Sequence, residues 1–149
     1  MGSESRFARA PASGVVAAGD GRALQAGPTR PTVKAGPHAG GRLIGMLESE
    51  VPPGGGFPGH VHDEYEEVFY VLTGDIDYLI DDSWVTAPAG STVLIPPGRV
   101  HGFRNSGSES ARHLAIASPA DAMTMIEELT QSPPDQWDVI LGRYRSRLV

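Results

Sequence analysis

The sequence predicts an all-β domain, a sandwich or closed barrel, with a short helical tail. Three observations lead there. Runs of β-branched and aromatic residues recur, with turn signals every ~8–12 residues between them. The 149 residues include 19 glycines and 13 prolines, which favour turns and short strands over long helices. Beyond Ser118 the pattern changes, and apolar residues fall at three-residue spacing, as on one face of a helix.

Taken in order, residues 1–14 are small, polar and interrupted by proline, and read as a flexible arm. Gly14 to Ala18 is a weak first strand. Gly19-Asp20-Gly21, Gly27-Pro28, Gly36-Pro37 and Gly40-Gly41 are turns, with a short strand at Thr32-Val33-Lys34 between them. Arg42 to Val51 is the first convincing strand. It is apolar on both faces over most of its length, as a strand covered on both sides is. Pro52 to Gly59 is a Gly/Pro loop. Glu67 to Leu72 is a strand of strong β formers. Residues 75–80 and 84–86 form a hairpin about Asp81-Asp82. Ser91 to Ile95 is a strand closed by Pro96-Pro97-Gly98, and Arg112 to Ala117 is the last. No internal repeat is visible, so one barrel is expected over residues 15–118.

In the tail, Ser118-Pro119-Ala120-Asp121 opens a helix whose apolar stripe is Met123, Ile126 and Leu129. Pro133-Pro134 breaks it. Asp135 opens a second helix with Trp137, Ile140, Leu141 and Tyr144 on its buried face. Residues 119–149 are expected to pack on the outside of the barrel.

Charge and composition narrow the function. A net charge of −6 and a pI near 5.2 argue against nucleic acid or an anionic membrane as partner. No apolar run approaches ~18 residues, and the N-terminus lacks a signal-type apolar core, so a cytoplasmic address is the default expectation. With no cysteine, thiol nucleophiles and Cys-type zinc sites are excluded, and any metal must be held by His, Asp or Glu.

His60 and His62, one residue apart, would point to the same side of a strand, with Val61 on the other. Glu66 and Glu67 follow at once. Two neutral imidazoles and a carboxylate begin a metal site. A further ligand must come from elsewhere, and His101, after the Pro96-Pro97-Gly98 turn, is the natural candidate among five histidines. His113 is expected to pack or to face solvent.

These residues fall into two spaced patterns. Gly54, His60, His62, Glu67 and Gly74 form the first, and Gly90, Pro96, Gly98, His101 and Asn105 the second. In both, the chain resembles the cupin superfamily, whose two signature motifs they match position by position, while Glu66 falls off the register. From about Val15 to Leu148 the chain further resembles the small single-domain cupins described as quercetin-dioxygenase-like. The resemblance implies a jelly-roll β-barrel holding one divalent ion (Fe, Mn, Ni, Cu or Zn) through His60, His62, Glu67 and His101. It implies a small-molecule enzyme, first a dioxygenase of an enol or phenol. A redox-neutral cyclase, isomerase or lyase of a polyketide-like or keto-acid substrate is the alternative, and a metal-dependent ligand-binding module the non-enzymatic one. Glu67 could also serve as general base.

Other assignments are weaker. Arg42, Ile44, Met46 and Glu48 share one face of their strand. If that face lines the barrel, Glu48 is a second acid/base group, Arg42 pairs with a substrate carboxylate and Met46 is pocket wall. The competing expectation is a Glu48–Arg42 ion pair at the barrel mouth. Phe57 and Phe103 are further candidates for pocket wall. Exposed edge strands suggest a homodimer.

Overall fold

The structure, a computed structural model, describes residues 14–149; all but the last residue of the arm expected over 1–14 lies outside the described residues. Eleven strands form two antiparallel sheets among the described residues. The first six are β1 (Arg22–Ala23), β2 (Arg30–Ala35), β3 (Gly45–Val51), β4 (Gly56–His62), β5 (Glu66–Thr73) and β6 (Asp75–Ile80). Then come β7 (Ser83–Pro88), β8 (Thr92–Ile95), β9 (His101–Arg104), β10 (Ala111–Ser118) and, after two helices, β11 (Ser146–Leu148). One sheet runs β1-β2-β3-β10-β5-β8 and the other β11-β4-β9-β6-β7. The chain crosses repeatedly from sheet to sheet, as in a jelly roll. Val33, Leu47, Val51, Val71, Ile76, Tyr78 and Ile95 fill the space between the sheets. Each fully buried large side chain contributes about 1.5–3 kcal/mol to that packing.

The motif residues outside the site hold turns. Gly74 follows β5 at φ +72, and a Cβ there would lie 2.9 Å from that of Ala111. Only glycine fits that left-handed turn without strain. Asn105 is buried, and its amide donates to the carbonyls of Val51 and Glu109, while its Oδ1 accepts from the Gly107 N–H. It therefore ties the end of β9 to the end of β3.

Three expectations are corrected. No strand forms over Gly14 to Ala18, whereas the expected Pro52–Gly59 loop already contains the start of β4. The strand expected from Arg42 begins at Gly45, and its inward face is Gly45, Leu47, Ser49 and Val51. Met46 and Glu48 occupy the outer face, and Arg42 lies exposed before the strand. Apolar residues on both faces of β3 made its two orientations equivalent to a period-two reading, and a one-residue difference reverses every side chain.

The tail does not simply sit on the outer surface. It contains α1 (Ala122–Thr130) and α2 (Trp137–Arg143), then returns as β11 alongside β4, with Ser146 opposite His62 and Leu148 opposite His60. Gly45 lets α1 approach β3 closely, since a Cβ there would meet Met123 Cγ at 2.5 Å. Met125, Ile126, Leu129 and Thr130 of α1, with Trp137 and Leu141 of α2, form one wall of the internal cavity.

Candidate metal centre

Three neighbouring strands deliver four donors to one point. β4 brings His60 and His62 on one face, β9 pairs with it so that His101 stands opposite His60, and β5 brings Glu67 from the facing sheet. All four are buried, and one donor atom from each lies within 4.8 Å of all the others. Glu66 is exposed on the other face of β5.

Hydrogen bonds fix the imidazoles in the form a metal requires. His60 Nδ1–H donates to the Pro58 carbonyl at 2.8 Å, and His101 Nδ1–H to the Arg99 carbonyl at 3.0 Å. A carbonyl can only accept, so each Nδ1 carries a proton and Nε2 is the inward donor atom. His62 Nδ1 meets Ser146 Oγ at 2.7 Å, and that hydroxyl gives its own proton to the Tyr144 carbonyl at 3.0 Å. Ser146 Oγ therefore accepts from His62, and the third ring is set the same way. Partners of this kind orient ligating histidines in metal sites generally.

The electrostatics favour neutral imidazoles at His60 and His62 and an ionised carboxylate at Glu67, paired with His101. Burial holds His60 well below the usual histidine range, at about 3, with His101 and His62 adding to the effect. Burial likewise lowers His62, partly offset by Glu67. For Glu67, burial opposes ionisation, but the hydrogen bond from His101 and the surrounding imidazoles outweigh it and lower its pKa. His101 moves the other way: burial disfavours its charge, and Glu67 Oε2, 2.6 Å from Nε2, more than compensates. Three imidazole donors and one carboxylate suit Fe, Mn, Ni, Cu or Zn, and this donor set could hold one such ion.

The cluster lies on a narrow cavity of ≈ 90 Å³. Its other walls are mainly apolar or aromatic: Leu47, Phe57, Phe69 and Phe103 from the sheets, with the two tail helices opposite. Phe57 stacks on Trp137 with ring centres 5.4 Å apart and turns an edge to His60. Among the described residues, no arginine or lysine lines the cavity.

Phe57 and Phe103 thus stand where pocket wall was expected. Arg42, Met46 and Glu48 do not line the cavity, and Glu48 pairs on the outer face with Arg112, not with Arg42. The sequence reading missed Ser146, the helical wall and His113. His113 is fully buried and lines the cavity. A signal for it existed: Ala111, His113, Ala115 and Ala117 alternate with Arg112, Leu114 and Ile116, which places His113 with the small inward residues.

Comparisons with known proteins agree with this architecture. Residues 47–117 match the family model described as the cupin domain. A germin-like protein 5-1 of Oryza sativa subsp. japonica is 29% identical over 99 residues, covering 61% of this chain and 43% of that protein. The polyketide synthase CurC of Streptomyces cyaneus is 31% identical over 90 residues, covering 58% of this chain and 57% of that one. The chain thus spans about half the length of the curated relatives it matches. Among solved structures, the polyketide cyclase RemF of Streptomyces resistomycificus superposes with a TM-score of 0.65 at 23% identity, covering 79% of this chain and 97% of that chain. At that identity the likeness speaks for the fold alone. No described helix is long and apolar enough to cross a membrane. The jelly-roll topology, the two complete motifs and the family match together identify residues 47–117 of this chain as a cupin domain.

Proposed function

We propose that this chain is a metal-dependent enzyme that acts on a neutral enol or phenol of polyketide type and closes or rearranges a ring without net oxidation. The observation that carries this is the pairing of a three-histidine, one-glutamate cluster with a mainly apolar, aromatic cavity lined by no arginine or lysine among the described residues. Beyond a bound ion, no described side-chain cation would meet a carboxylate or phosphate substrate there, which raises its desolvation cost. A flat, uncharged ring is matched by Phe57, Phe69, Phe103 and Trp137. A bound ion would supply Lewis-acid polarisation of a substrate oxygen. Glu67, kept ionised by its surroundings, is the buried base placed to take the proton that the enol or phenol gives up. The Streptomyces cyaneus relative, named a polyketide synthase, supports the substrate class.

Dioxygenation of the same kind of substrate is the second reading. The donor set favours it, because four protein ligands leave one or two positions open on a five- or six-coordinate iron. The test is to load the protein separately with zinc and with iron(II), offer a panel of phenols and linear poly-β-ketones, and follow products by mass and oxygen by electrode. Isomers or products lighter by one water, with no oxygen consumed, are expected. Products heavier by two oxygen atoms with matching uptake would replace the first reading by the second. Tight binding without turnover for every metal would leave a ligand-binding module.

A further inference from the structure

His113 is a buried polar group that the metal centre does not use. It sits on β10 with no exposed surface, stacked against Phe69 at 5.3 Å and edge-on to Phe103 at 4.7 Å. Its Nδ1 meets the hydroxyl of Tyr78 at 2.6 Å, and Tyr78 is itself buried. Its Nε2 has no hydrogen-bond partner among the described residues. The ring lines the same cavity as His60, His62 and Glu67.

The tautomer follows from the partners. The Tyr78 hydroxyl has one proton to give, and His113 Nδ1 is the acceptor bonded to it among the described residues. Tyr78 therefore donates to Nδ1, and the neutral imidazole carries its own proton on Nε2. Burial keeps the ring neutral by lowering its pKa to about 4. The result is an N–H donor, shielded from bulk water, on the wall of a cavity whose other polar side chains among the described residues are the centre itself, Thr29, Ser49, Thr130 and the Trp137 indole. An unanswered buried donor weakens a fold. Stability alone would favour an apolar side chain of similar volume here.

We propose that His113 is a further catalytic residue: held by Tyr78, its Nε2–H donates a hydrogen bond to a second oxygen of the substrate, away from the four-donor centre. This rests on the function proposed above and narrows its substrate class to enols or phenols carrying two separated oxygens. A neutral imidazole N–H aimed at an oxygen that gains negative charge stabilises that charge more in the transition state than in the ground state. Tyr78 is a positioning residue, which sets the tautomer and does not touch substrate.

Two measurements test this. Long-range nitrogen-15 spectra of the intact protein report the His113 tautomer directly. The proton is expected on Nε2 in the parent, and this preference should be lost in Tyr78→Phe; an Nδ1–H tautomer in the parent overturns the proposal. The second measurement is calorimetric titration of oxygen-free, zinc-loaded protein with phenol, resorcinol and hydroquinone. These probes share a ring and differ in the presence and spacing of a second oxygen. In the parent, resorcinol or hydroquinone should bind about tenfold more tightly than phenol, the value of one well-placed hydrogen bond in a dry site. That advantage should vanish in His113→Leu and survive in His113→Gln, whose amide can still donate, with zinc content unchanged in both. An equal advantage in parent and His113→Leu overturns the assignment and leaves the proposed function standing. So does the absence of any advantage in the parent. Phenol that binds zinc-loaded and zinc-free protein alike removes the proposed function, and this assignment with it.

Discussion

Ser146→Ala should weaken metal binding although Ser146 never touches the metal. The change removes one oxygen atom, Oγ, which lies 2.7 Å from His62 Nδ1. Without it, His62 Nδ1–H has no acceptor in a buried setting, and the ring is free to turn or to move its proton to the wrong nitrogen. Loss of such a partner costs metal affinity about 10- to 100-fold, which corresponds to about 1.4–2.7 kcal/mol. An orphaned buried donor independently costs about 1–3 kcal/mol, so the two routes agree in size. The assay is zinc affinity by competition with a chelating dye near neutral pH, for the parent, Ser146→Ala and Ser146→Thr. The alanine variant should lose affinity in the stated range, and the threonine variant, which keeps a hydroxyl, should lose much less. Equal affinity for parent and Ser146→Ala would show that β11 does not orient His62, and the tautomer reasoning for that ring would fall.

Further outcomes follow from the same structure. Glu67→Ala should reduce zinc content to a small fraction of the parent's, while Glu66→Ala, on the exposed face of β5, should leave it unchanged; the reverse pattern by elemental analysis would mean the register is misread by one residue. The zinc-free protein should lose stability on acidification. His60, His62 and His113 have folded pKa values below the ordinary 6.5, so the unfolded chain binds more protons as pH falls below that value, and the stability present above it is lost down through the folded values. His101, raised by Glu67, acts in the opposite sense and only partly offsets the three. For His113 alone the span from 6.5 to about 4 is worth about 3 kcal/mol; melting curves between about pH 7.5 and about pH 4.5 should therefore flatten in His113→Leu, and an unchanged slope would contradict the assignment of that burial cost. Asn105→Ala should cost about 2–4 kcal/mol, since one buried and two part-buried hydrogen bonds are lost at once; a urea-unfolding difference within about 0.5 kcal/mol of the parent would show that the β9 turn holds without it.

Much of this molecule was legible before the structure, for identifiable reasons. Both motifs combine ligands with the glycines and asparagine that make turns, so their spacing encodes strand ends as well as chemistry. The strands around Val68 to Val71 and the hairpin over 75–88 read clearly because their patterning and turn residues point the same way. What stayed hidden depended on packing between distant segments. β3 is apolar on both faces, so alternation alone could not say that Leu47 and Ser49 look inward while Glu48 meets Arg112 outside. β11 has three residues, too few for a period to appear, yet it carries the partner of His62. The helices of the tail showed their apolar stripes but not that those stripes would close the cavity. His113 was set aside because a lone histidine on a strand says nothing by itself. Tyr78, 35 residues away, supplies the hydroxyl that bonds its Nδ1.

The central claim is that His60, His62, Glu67 and His101 hold one catalytic divalent ion. The most direct measurement is elemental analysis of untagged protein prepared without oxygen, for the parent and for His62→Ala side by side. About one equivalent of a single first-row transition metal is expected in the parent and a small fraction of that in the variant. A parent that refuses every such ion, or a His62→Ala variant that retains the parent's full content, would contradict the account.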